Sequence, residues 1–201
     1  MTVIVTVALA FIGYLATYLN GVRLAQRNER LARVNRQLSD FYGPLVALTE
    51  SNKRIFEAFV EQNARPGGVS IFEADTPPTE AELRDWRLWV TTVFLPNVQA
   101  MRDLVVTHAD LLLDDEMPPL LLNLCAHVSG YEITAARWAQ GDYAQHQSVV
   151  FFPGDEVRTY AIDGFDRLKW EQIRLMGRRR RAREKRREQR RKRSRATTTG
   201  T

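Results

Sequence analysis

Histidine is the side chain best suited to acid–base or metal chemistry at neutral pH, and this chain has three: His108, His127 and His146. They stand nineteen residues apart each time, whereas paired metal ligands on one helix stand about three to five apart. The single cysteine, Cys125, lies two positions from His127, and residues i and i+2 of a helix point to different faces. A lone cysteine forms no internal disulfide and no thiol pair for a metal, and the apolar run Leu120–Val128 around it suits a buried thiol. Asp114-Asp115-Glu116 could attract a divalent cation. Consecutive carboxylates rarely wrap one ion, however, and the spacing fits no calcium loop. A solvated helix start accounts for them. Ser129-Gly130 falls in a helical run rather than in a strand-to-helix elbow. Arg65-Pro66-Gly67-Gly68 lacks the lysine and the strand of a phosphate loop. His108 with Asp110, or His127 with Glu132, could form local pairs, but satisfied surface or core histidines explain them as well. No catalytic, metal or cofactor-binding residue is assigned, and no cofactor is expected.

The one strong chemical signal is electrostatic. Residues 178–193 read RRRRAREKRREQRRKR, with twelve basic residues in sixteen. The candidate anion-binding set is Arg178, Arg179, Arg180, Arg181, Arg183, Lys185, Arg186, Arg187, Arg190, Arg191, Lys192 and Arg193. Three polyanions compete for it. The anionic inner leaflet attracts such segments at about 1 kcal/mol per basic residue, provided that the last helix returns to the membrane. Nucleic acid would bind with steep salt dependence, and without interleaved aromatics to stack bases it would be bound with little sequence preference. The third is the protein's own acidic body, in cis or between copies. A solvated tail that only enforces topology is the plain alternative.

Charge along the chain is segregated. Residues 1–37 hold five Arg and one Glu, a net +4; residues 38–173 hold ten basic and twenty-one acidic side chains, a net −11; residues 174–201 reach +12. The overall +5 and a pI near 9.6 therefore describe the tail rather than the body.

The elements that carry these charges begin with an anchor. Thr2 to Val22 contains no Asp, Glu, Lys, Arg or His. As a helix it rises about 31 Å, matching a hydrocarbon core of about 30 Å. Tyr18 sits where the chain should leave lipid. A cleaved signal peptide would place basic residues before the apolar run; here the first is Arg23, followed by Arg27, Arg30, Arg33 and Arg36. These five determine topology. Arginines stay on the cytoplasmic side, so the N-terminus is expected outside and the C-terminus in the cytoplasm. Ala10, Gly13 and Ala16 or Thr17 form a small-residue face that could support self-association. Leu24, Leu31 and Leu38, with Val34 between, could seat on a second copy or continue into the body's core.

Beyond the anchor every pattern has helical period. Gly43 and Pro44 should loosen one helix and start the next, whose apolar stripe is Leu45, Leu48, Ile55, Phe56 and Phe59. Phe41 and Tyr42 wedge between helices beside that break. Residues 64–78 form a loop from which Val69, Ile71 and Phe72 pack back. Thr79 and Glu82 make a capping box for a helix from about Glu80 to Leu113, kinked by Pro96. Trp86 and Trp89 belong to its core side. A helix from about Pro118 to Ala139 follows, buried along Leu121, Leu124, Cys125, Val128 and Tyr131. The last begins near Val157, with Tyr160, Phe165, Leu168 and Ile173 inward and Trp170 and Leu175 on flanking faces.

The expected fold is all-α: a single N-terminal transmembrane helix, a cytoplasmic bundle of about four helices, and a basic C-terminal tail. The expected segments are an anchor over 1–22, a juxtamembrane basic helix over 23–40, a helical bundle over 41–175, and an Arg-rich tail over 176–201, helical or disordered. The expected role is a membrane-anchored, non-enzymatic interaction or scaffold module. Its alternatives are a membrane-tethered, sequence-nonspecific nucleic-acid-binding protein and a small membrane-bound enzyme with a dispersed site.

Overall fold

The computed structural model describes the backbone of residues 2–65, 72 and 76–198, and the side chains of most of these up to Gly177. It is all-α, with an N-terminal apolar helix and a small helical bundle. Helix α1 spans Thr2–Arg36, α2 Gly43–Asn63, α3 Glu80–Trp89, α4 Leu95–Thr107, α5 Pro119–Ala139 and α6 Gly154–Thr198. The expectation that Val69 and Ile71 pack back lies outside the described residues. Phe72 does pack back, edge-on to Trp86 with ring centroids 5.2 Å apart.

The chain divides into two compact units. One comprises residues 1–36 and 167–201, the other residues 37–166. The last helix is thus shared: its first turns belong to the bundle, and the remainder groups with α1.

Both proline sites show how helices absorb a missing N–H. Gln37–Tyr42 and Val90–Phe94 each form a π-helical turn just ahead of Pro44 and Pro96. In a regular α-helix the proline ring would meet the carbonyl four residues earlier. The wider π turn makes room for it. The break expected at Gly43 and the kink expected at Pro96 are therefore both local widenings. Gly43 is required by the first: a Cβ there would lie 2.5 Å from the Leu38 carbonyl oxygen. The helix expected to reach Leu113 ends instead at Thr107, followed by a 3₁₀ turn over Ala109–Leu111.

In the bundle, α4 packs against α2 and α5. Phe41, Tyr42, Leu45, Met101, Leu121, Leu124 and Val157 are fully buried. The stripe on α2 departs from the sequence pattern: Thr49 and Asn52 are buried, while Leu48 is only partly so. The Thr49 hydroxyl donates to the Leu45 carbonyl at 2.9 Å and Asn52 Oδ1 accepts from Asn97 Nδ2 at 3.5 Å, so both buried polar groups are paired. The capping box forms as expected. The Glu82 N–H donates to the Thr79 hydroxyl and the Thr79 N–H to the Glu82 carboxylate. Arg65 adds an ion pair to Glu82 at 2.7 Å. With the Arg65 hydrogen bond as the largest cause and the two Thr79 bonds next, the Glu82 carboxyl is held down to about 2.

Tyr42 is the bundle's polar hub. Its ring lies against Gly164, where a Cβ would stand 2.1 Å from the ring edge. The Leu113 N–H donates to the Tyr42 hydroxyl at 3.1 Å, and the Tyr42 and Tyr160 hydroxyls are 3.1 Å apart. Tyr160 donates to Asp114 Oδ2 at 2.7 Å. Burial, and then the bonds to Tyr42 and Asp114, push the Tyr160 hydroxyl well above its ordinary value. The first carboxylate of Asp114-Asp115-Glu116 thus anchors a tyrosine.

Candidate membrane-proximal site

The apolar side chains of α1 that are described before Arg23 are all exposed. Val7, Phe11 and Ile12 are each more than 60% exposed, and Leu15 is 43% exposed. A core helix of a water-soluble protein hides such side chains; this helix offers them to a surrounding medium. It is the one helix among the described residues long and apolar enough to cross a bilayer. The Thr17 hydroxyl donates to the Gly13 carbonyl at 2.8 Å, so this polar group is satisfied within the helix. Gly13 has nothing within 4 Å of where a Cβ would be, and its face is open.

The arginines expected to set topology follow on the same helix, and two of them join it to α6. Arg27 Nη2 donates to the Leu175 carbonyl, and Arg30 pairs with Glu171. Gln172 Nε2 donates to Asn35 Oδ1 at 2.8 Å. Between these contacts Leu31 and Val34 are buried on α1, and Leu168 and Leu175 on α6. Leu24, by contrast, is half exposed, so the seven-residue repeat is used within one chain from Leu31 onward. Arg30 matches Glu171 and Arg27 matches Leu175, so numbering rises on one helix as it falls on the other. The two helices are antiparallel. Arg23, Arg33 and Arg36 lie on α1 as expected from the sequence.

Three apolar side chains of α6 remain outside this contact. Trp170 is 73% exposed, and Ile173 and Met176 follow at three-residue steps, both exposed. Ile173 was expected inward. The inward stripe is instead Val157, Ala161, Gly164, Leu168 and Leu175, and Ile173 falls on the opposite side. The backbone of α6 continues helical to Thr198. The twelve basic side chains from Arg178 to Arg193 lie outside the described side chains.

The bundle holds the three histidines and the cysteine. His127 is buried, and its Nδ1 lies 2.6 Å from the Val150 carbonyl, which makes Nδ1 the donor. The Tyr131 and Phe152 rings flank it, each with its centroid 5.0 Å away. Burial holds its pKa below the ordinary value, against the opposing effect of the Val150 bond. His108 caps α4, and the His146 carbonyl accepts from Trp86 Nε1 at 2.8 Å. Cys125 is half-buried, and burial raises its thiol pKa. Glu132 bonds Gln99 Nε2 and Arg102, which lower its pKa; it does not reach His127 in any contact seen. A cavity of about 480 Å³ opens beside His127, walled largely by Phe56, Trp86, Phe94, Val98 and Phe152. The cations at its edge, Lys53 and Arg158, are paired to Asp155 and Glu50. Among the described residues no three His, Cys, Asp or Glu side chains are grouped to hold a metal ion.

Set beside known protein families, curated proteins and solved structures, the chain matches none.

Two features were not legible in the sequence. The buried polar pair Thr49 and Asn52 breaks the apolar stripe, and only a three-dimensional partner such as Asn97 explains it. The return of α6 to α1 rests on contacts between residues more than 130 positions apart. The seven-residue spacing of Ala161, Leu168 and Leu175 was the available signal for it.

Proposed function

We propose that this protein is a non-enzymatic interaction module held at a membrane by α1, with its N-terminus outside and its helical body and basic tail in the cytoplasm. The antiparallel seating of α6 on α1 carries this reading. It ties the charged end of the chain to the base of the anchor, so that the tail is presented at a fixed place. The arginines after Val22 resist translocation and set the orientation. The histidines and carboxylates serve packing and hydrogen bonding: His127 holds the 142–153 connector, Asp114 holds Tyr160, and Glu82 caps a helix. Tail residues Arg178–Arg193 form the surface for an anionic partner.

The test compares the full chain with one ending at Gly177, each captured from cells in mild detergent. Partners common to both forms belong to the bundle, and partners lost with the tail belong to the arginines. Loss of no partner on truncation, together with loss of activity on changing His127 to Gln in any enzymatic assay, would sink the proposal.

A further inference from the structure

The contacts between α1 and α6 fix a register. With Arg27 reaching Leu175, Arg30 reaching Glu171 and Asn35 reaching Gln172, and with equal rise per residue in both helices, residue 178 stands level with residues about 23 to 29. That is within about two turns of where the uncharged stretch Thr2–Val22 gives way to Arg23. The basic tail therefore begins within about two turns of where the anchor leaves lipid. A straight antiparallel continuation beside α1 would carry its arginines and lysines into the hydrocarbon layer, which such side chains strongly disfavour.

Two local features allow the chain to turn away at that level. α6 runs helical through Gly177, between Met176 and Arg178, and glycine holds a helix less firmly than any residue but proline, so a bend away from α1 costs least there. The Leu175 carbonyl accepts from the Arg27 guanidinium, which ties α6 to α1 just before that level. Ile173 and Met176, exposed and apolar, approach the same level on one face of α6, where an interface can take them up.

We infer that residues 178–193 lie along the cytoplasmic surface of the same bilayer that holds α1 and bind its anionic headgroups. This rests on the proposed orientation of the anchor. Positive charge at twelve of sixteen positions complements an anionic leaflet. The anchor removes the cost of bringing the tail to that surface, because the tail is already there. Nucleic acid and the protein's own acidic body are outcomes of the test.

The experiment places the full chain in lipid nanodiscs, with and without anionic lipid, in a Cys125→Ser background. One fluorophore is attached through Leu15→Cys and read with an acyl-chain quencher. A second preparation carries it through Ala182→Cys and is read with a headgroup quencher. Quenching at 15 in both discs establishes the anchor. Quenching at 182 that appears only in anionic discs, fades with salt, and vanishes when all twelve basic residues of 178–193 are changed to Gln supports the inference. Each basic residue near the surface shifts the docked-to-free ratio by about fivefold, so the all-Gln variant loses essentially all of it. Quenching at 15 without quenching at 182 overturns the inference and leaves the anchor standing. So does quenching at 182 that is independent of lipid charge, or that is abolished by RNA added at equal phosphate. Absence of quenching at 15 overturns the anchor itself.

Discussion

Replacing Gly164 with Ala puts the bundle's central packing to a quantitative test. A helix-interior Gly→Ala change on an open surface stabilises by about 1 kcal/mol. Here the new Cβ would fall 2.1 Å from Tyr42 Cε1 and 2.5 Å from Cδ1, far inside carbon–carbon contact. The Tyr42 ring, with no exposed surface, must move. Forced overpacking of this kind costs about 1–3 kcal/mol. The moving ring also carries its hydroxyl away from the Leu113 N–H and from Tyr160, both 3.1 Å distant, at about 1 kcal/mol for each bond. The balance is a loss of about 2–4 kcal/mol. For a chain of this size that lowers the melting midpoint by between about 4 and 16 °C. Thermal unfolding of the detergent-solubilised protein, followed by tryptophan fluorescence, reads it directly. In a Tyr42→Leu background the same Gly164→Ala change should cost less than about 1 kcal/mol, since the clash is then gone. A Gly164→Ala protein that melts at or above the parent would refute the packing argument.

Three further outcomes follow from the same structure. Tyr42→Phe leaves the Leu113 N–H without its acceptor, and should destabilise by about 1–3 kcal/mol in chemical denaturation; a neutral result would show that water replaces the hydroxyl. His127 has a folded pKa below its unfolded value of 6.5 because burial disfavours the charged ring. Its native state therefore binds fewer protons than the unfolded chain, and stability present above pH 6.5 is lost as pH falls toward and below that value. Melting midpoints measured across that range should decline in the parent and decline less in His127→Gln; equal slopes would remove His127 from the account. Changing Ile12 to Arg places a charge in the middle of the apolar stretch and should cost about 3 kcal/mol of insertion, seen as protein lost from the membrane fraction after alkaline extraction. Undiminished membrane retention would argue against a span centred there.

The sequence displayed the local rules well and the long-range ones poorly. The capping box at Thr79 and Glu82, the uncharged stretch to Val22 and the helix after Pro118 depend on residues within a turn or two of one another, and all three are present. The π turns ahead of Pro44 and Pro96 were invisible, because the same Pro marks a break, a kink or a widened turn according to what packs around it. Ile173 and Leu175 changed places between inward and outward for a related reason. From residue 167 onward α6 groups with α1, and a single helix read alone cannot say which of two apolar stripes a distant partner will take. His127 was legible as a satisfied histidine, but its partner, the Val150 carbonyl, sits in a connector whose path no periodicity describes.

The account depends most on which side of the membrane holds each end of the chain. In a Cys125→Ser background, a cysteine placed at the outer end of the anchor at Thr2 and another at Thr197 can be probed with a membrane-impermeant thiol reagent. Intact cells should label position 2 and leave position 197 untouched until the membrane is opened. Labelling of position 197 in intact cells, or recovery of the whole protein in the soluble fraction, would contradict it.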